Sequence, residues 1–135
     1  MSHFTTIKTK IKEVEPLVNA LADLGFVHIE VHQQSQNLYG YQGDVRQQTA
    51  EVIIRRQYIG SASNDIGFKR QETGFFKAII SEFDRRRYSQ DWLNKLTQRY
   101  AYHAAKSKLE EQGFSLVSEE VEEKERIHLV LRRVV

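Results

Sequence analysis

The chain contains no cysteine. Disulfides, thiol catalysis and cysteine-ligated iron–sulfur clusters are therefore excluded, which suits a reducing compartment. It has a single proline, and no Gly/Ser linker or low-complexity tract interrupts its 135 residues. That length is one domain's worth, so residues 1–135 are expected to form one domain. No run approaches about 18 consecutive apolar residues, the length needed to cross a bilayer, so no membrane span is expected. The opening stretch MSHFTTIKTKIKEVEP lacks an apolar run and does not read as a secretory signal. Neither sign of charge dominates: 20 basic and 18 acidic residues leave a net charge of +2. Nucleic-acid binding, which needs a concentrated basic face, is disfavoured by that balance.

What is present is a globular pattern, with 40% hydrophobic and 28% charged residues, too apolar for a disordered chain. HFTTIKTKI alternates and predicts a first strand. EVEPLVNALADLGF predicts a helix: Pro16 suits a first turn, Leu17, Leu21 and Leu24 recur at helical spacing, and Gly25 suits the C-terminal cap. FVHIEVH reads as a strand. QQSQNLYGYQGD, polar and holding two glycines, reads as a loop or hairpin end. AEVIIRRQY reads as a strand and GSASND as a turn. IGFKRQ and GFFKAII then form a hairpin around ETG. From an N-cap at Ser89, QDWLNKLTQRYAYHAAKSKLEEQ predicts a helix of about 23 residues, or about 34 Å, stopped by Gly113. FSLVSEEV and RIHLVLRRV follow as strands joined near EEKE.

LADLGFVHIEV and LEEQGFSLVSE share a Leu-x-x-x-Gly-Phe-strand pattern. Two related α/β halves would produce it. So would the general liking of a helix-to-strand junction for glycine followed by an apolar residue. On either account the expected class is α+β: a mostly antiparallel sheet with two helices on one face, in a ferredoxin-like arrangement.

In the long helix, Leu93, Leu96, Tyr100 and Ala104 form one stripe, which should face the sheet. Tyr102 points elsewhere. Tyr100 and His103, three apart, are surface neighbours that could offer a hydroxyl and an imidazole to a ligand. A buried Tyr or His also needs hydrogen-bond partners for purely structural reasons. Asp65 in NDIGF precedes an apolar strand in a neutral patch and is either a turn former or a third member of that ligand site. Arg99 beside two tyrosines suits a planar or anionic partner. The run Arg85, Arg86 and Arg87 joins Arg99 and Tyr102 as a candidate protein interface, although short charge runs are usually solvated surface.

Catalytic and metal signatures are weak. His28 and His32 would lie about 13 Å apart on a strand, too far for one zinc ion. There is no phosphate-binding loop, nucleophile elbow or acid–base pair. Neither a metal, a cofactor nor an enzymatic activity is expected.

MSHFTTIKTKI, NDIGF and TQRYAYHAAKSKLEEQGF, in that order over nearly the whole chain, resemble the Ycf-thirty-five family of cyanobacteria and algal plastids. Two departures stand out: AIISEFDRRRYSQDWL replaces an aromatic-rich FW segment often found before the long helix, and the chain ends in LRRVV rather than near a tryptophan. The resemblance implies a setting, the cyanobacterial cytosol or plastid stroma, and a bearing on photosynthetic function. It implies no reaction. The function expected on these grounds is a non-catalytic accessory or adaptor protein that binds a protein partner. The alternative is a small-molecule-binding regulatory domain, with a ligand on the sheet face away from the helices or in a cleft near Asp65, Tyr100 and His103. Free strand edges leave a homodimer open.

Overall fold

The structure, a computed structural model, describes residues 3–121 and 127–133. In chain order the elements are β1 (Phe4–Lys8), α1 (Val14–Asp23), β2 (Glu30–Tyr39), β3 (Val45–Ile54), β4 (Ile66–Arg70), β5 (Phe76–Ser81), α2 (Gln90–Glu111), β6 (Phe114–Val121) and β7 (Ile127–Arg133). Single 3-10 turns sit at Arg56–Tyr58 and Asp84–Arg86. The turn expected near EEKE lies outside the described residues.

Local chemistry accounts for the helices. Pro16 occupies the first turn of α1, where its missing N–H costs nothing. The helix ends in a Schellman pair: Phe26 N–H bonds the Leu21 carbonyl at 2.9 Å and Gly25 N–H bonds that of Ala22 at 3.0 Å. Gly25 has φ +102°, a conformation that side chains resist. Ser89 takes the N-cap position of α2 in an extended conformation, with Asp91 in the first turn.

Strands β1–β5 form one antiparallel sheet in the order β1-β5-β4-β3-β2, so β1 and β2 are its edges. Both helices pack on one face. Leu17, Ala20 and Leu21 of α1 and Leu93, Leu96 and Tyr100 of α2 share a core with Val52, Ile54, Ile66, Phe68, Phe76, Ala78 and Ile80. The α+β class and the two helices on one face are as expected. The ferredoxin-like detail is not supported by the pairing: β1 lies at an edge, and β6, the strand after α2, pairs with β7 in a separate two-stranded sheet.

The polar stretch QQSQNLY, expected as loop, is instead strand β2, while residues 26–29 lie before it. An edge strand needs no apolar run of its own, because half its surroundings are water and its ladder comes from β3. Its register with β3 shifts twice, between Val31 and Gln36 and between Asn37 and Tyr39. Such bulges bend a hairpin. Here the bend carries its tip across the face that has no helices. Leu38 and Ala50 join Ile53 and Ile79 there, with Phe4 of the far edge packed against them. Arg46 lies 5.0 Å over the Phe4 ring.

Gly67 makes that fold-over fit. A Cβ there would stand 2.7 Å from Ala50 Cβ and 3.0 Å from Leu38 Cδ2. Gly67→Ala is expected to destabilise the chain by about 1–3 kcal/mol through overpacking, read as a lower urea midpoint.

Candidate functional site

Asp65 directly precedes β4 and is fully buried. Its carboxylate accepts from Tyr39 N–H at 2.7 Å, Arg56 N–H at 2.7 Å and the Arg55 guanidinium at 2.8 Å. Arg55 also grips Glu30 with two bonds of 2.9 Å, donates to the Asn37 carbonyl at 3.0 Å and lies over the Tyr39 ring. Glu30 in turn meets His32 at 2.8 Å. The hydrogen bonds from Arg55, opposed by partial burial and reinforced by His32, hold Glu30 below the usual carboxylate range. His28 stacks on Tyr58 instead, so the two histidines do not converge.

Asn64, the residue before Asp65, is equally buried. Its side-chain oxygen accepts from Tyr41 N–H at 2.8 Å. Its own N–H donates to Asp84 Oδ2 at 2.9 Å, and Ser81 donates to the same oxygen at 2.8 Å. Asn64 and Asp65 together hold the end of β2 and the start of the β2–β3 tip, at Tyr39 and Tyr41.

Tyr100 is 8% exposed, and its hydroxyl accepts from Lys12 and Glu13 N–H, both at 3.0 Å. These amides open α1, so Tyr100 anchors the start of one helix from the middle of the other. Beside Tyr100 on α2, Arg99 Nε and His103 Nε2 both reach Asp23 Oδ2 at 2.7 Å. Partial burial raises the Asp23 pKa, and the bonds from His103 and Arg99 outweigh it, leaving the carboxyl below its ordinary range. Arg99 lies 4.4 Å over the Tyr102 ring, and His103 meets the same ring edge-on. Three candidates thus gather at the end of α1 around Asp23, a residue the sequence patterns did not single out. Asp65 shares no bonding partner with Tyr100 or His103.

Arg85, Arg86 and Arg87 follow β5. Arg86 and Arg87 are exposed, while Arg85 is half-buried. Arg86 lies 4.6 Å over the ring of Phe83, and Arg87 lies 5.6 Å over that of Tyr88. Both line a recess of about 390 Å³ with Ile59, Ala62, Ser63 and Tyr88 among its walls. Burial raises the Tyr88 pKa. The arginine run was legible as charge. The recess was not, because Ile59–Ser63 reach it only through the fold.

Across sequences, the family described as "Protein of unknown function (DUF1257)" matches residues 20–130. The chain belongs to this family. It is 32% identical over 134 residues to "Uncharacterized protein ycf35" of Guillardia theta, 29% identical over 134 to that of Cyanophora paradoxa, and 27% identical over 144 to that of Pyropia yezoensis. Each alignment covers 98% of this chain and 98% of the relative. These relatives are algal-plastid proteins. No solved structure matches the chain. Among the described residues, no group of three or more His, Cys, Asp or Glu is placed to hold a metal ion, and no helix is long and apolar enough to cross a membrane.

Arg55→Gln would leave the buried Asp65 carboxylate without its counter-charge. A loss of about 3–5 kcal/mol is expected in urea unfolding at neutral pH. The pH course should change too. A depressed carboxylate pKa stabilises the fold above the unfolded-state value, and that gain is lost as pH falls through the folded value. For Glu30 the window therefore lies below the ordinary glutamate range. The variant should lose less stability than wild type across that window, seen as a shallower acid limb of thermal midpoint against pH.

Proposed function

We propose that this protein is a non-catalytic accessory or adaptor module of the cyanobacterial and plastid type, which binds an acidic segment of a protein partner at the Arg86–Arg87 recess. The observation that carries this reading is the pair of exposed guanidinium groups, each resting on an aromatic ring at the rim of a part-apolar hollow. Among the described residues, neither forms an ion pair with a carboxylate. Arginine and aromatic side chains dominate the energetics of protein interfaces, and Phe83, 39% exposed, supplies apolar contact beside the charge. A guanidinium already stacked on a ring loses less freedom when its fork takes a carboxylate.

The non-catalytic part of the proposal is supported by how the polar groups are spent. Asp65 and Tyr100 hold backbone amides, and His103 is bonded to Asp23. Arg99 is also bonded to Asp23, so its first role is to hold α1 on α2. In this reading the working compartment is the cyanobacterial cytosol or plastid stroma, and the plastid relatives favour a role in assembling or regulating the photosynthetic apparatus. A second reading, a small-molecule-binding regulatory domain, is favoured by the recess itself. Its volume of about 390 Å³ falls within the range of about 300–1,000 Å³ common for ligand pockets.

The test is a pull-down of tagged protein from the source cells, with mass spectrometry of both proteins and small molecules. A stoichiometric acidic partner is expected with wild type and with Arg99→Ala/Tyr102→Ala, and its loss with Arg86→Glu/Arg87→Glu. Retention by the last variant would overturn the recess as the interface. A small molecule retained without any protein, and lost in that variant, would establish the second reading instead.

A further inference from the structure

Strand register brings three lysines into one row. Lys8 of β1 is the direct partner of Lys77 of β5, and Lys77 is the direct partner of Lys69 of β4. Directly opposed residues in an antiparallel ladder share a face, with Cα atoms about 4.5–5.5 Å apart. The row lies on the face without helices, since Phe76, Ala78 and Ile80 point toward the helices and Ile79 points away.

The fold alone does not account for this row. Like charges directly opposed in a sheet are destabilising. A lysine on an edge strand blunts unwanted pairing, which explains Lys8. Lys69 and Lys77 lie on interior strands, where no edge needs protecting. Nor are the charges neutralised by the chain. Lys69 Nζ donates to Thr49 Oγ1 at 2.7 Å and Ser35 Oγ at 3.3 Å, both uncharged. Glu51 turns its carboxylate to the Arg70 N–H at 2.8 Å. Among the described residues, no carboxylate forms an ion pair with Lys8, Lys69 or Lys77. A locally unfavourable arrangement kept within an otherwise consistent fold marks a functional position more often than an accident.

We propose that Lys8, Lys77 and Lys69 form an anion site for a compact, multiply charged phosphate group of the kind carried by di- and triphosphates. Lysine binds phosphate as a flexible point charge with three donors, which lets several lysines share one polyanion. Three ammonium groups on adjacent strands can converge on one small polyanion. The Ser35 and Thr49 hydroxyls, on the hairpin that folds over this face, stand beside Lys69 and can serve the same oxygens. The row spans only two strand spacings, about 10 Å, which is short for a groove that tracks a nucleic-acid strand. The Phe4 ring on this face is already packed against the second core with Arg46 over it, which leaves it poorly placed to stack on a base. The site is separate from the arginine recess and does not depend on it.

Inorganic tripolyphosphate is the probe, added to the full chain at low salt and followed by calorimetry and thermal melting. Wild type and Arg86→Glu/Arg87→Glu are expected to bind it with equal affinity and to melt higher in its presence. Lys77→Gln and Lys69→Gln should each weaken binding by about tenfold, the worth of one charged hydrogen bond. Lys77→Arg should retain most of it. Without the anion, Lys77→Gln should melt above wild type, because a repulsion has gone. Tripolyphosphate affinity unchanged in both glutamine variants would overturn the proposal. So would Lys77-dependent binding of single-stranded RNA or polyglutamate in the absence of tripolyphosphate binding.

Discussion

The buried carboxylate of Asp65 is the interaction on which the sheet's shape depends. It lies at a corner where three strands meet: β4 begins beside it, β3 has just ended, and the β2–β3 tip has folded back to it. An ionised group in such a place survives only with its acceptor capacity filled. Two backbone amides and one guanidinium fill it. Each of these donors is thereby fixed, which sets the hairpin's return path. Once the tip is held, Leu38 must lie over Gly67, and the face without helices acquires its small second core. Arg55 carries the constraint outward to Glu30 and His32 at the start of β2.

Seen this way, the stretches that resemble the family are largely instructions for folding. In NDIGF, Asn64 and Asp65 clamp the tip, Ile66 and Phe68 enter the main core, and Gly67 gives Leu38 and Ala50 room. In QRYAYH, Tyr100 tethers the opening of α1, and Arg99 with His103 holds its far end. Among the described residues, Arg86, Arg87 and the three lysines of the row are charged groups that form no ion pair with a carboxylate. Arginine gathers where aromatic rings and a hollow suit a peptide, and lysine where register and nearby hydroxyls suit a phosphate. The two surfaces differ in the chemistry they invite.

Much of the fold was legible in the sequence wherever local rules act. Gly25 and Gly113 both take positive φ, as glycine after a helix should. The stripe of Leu93, Leu96 and Tyr100 does face the sheet. Strand β2 was not legible, because QQSQNLY is specified by its neighbours: pairing with β3 and the grip of Asn64 and Asp65 at its end. The site was legible only as residue types. That Tyr100 would meet the amides of Lys12 and Glu13, 88 and 87 positions earlier, is information no local window holds. The lysine row is hidden more deeply, since Lys8, Lys69 and Lys77 become neighbours only once register is known.

The place of β1 also bears on how the chain is made. Its partner is β5, and the Thr5 hydroxyl reaches the carbonyl of Ile80, 75 residues later. During synthesis the first strand therefore emerges with nothing to pair against, while β2, β3, β4 and β5 can zip up successively as a meander. The β1–β5 pairing joins segments far apart in the chain and can form only once β5 has been made. Loop closure over such a separation is slow compared with hairpin formation. The native packing of Phe4 and Ile7 therefore waits on chain made about 70 residues after them, which makes β1 the apolar segment of the sheet that is longest without its native cover during synthesis.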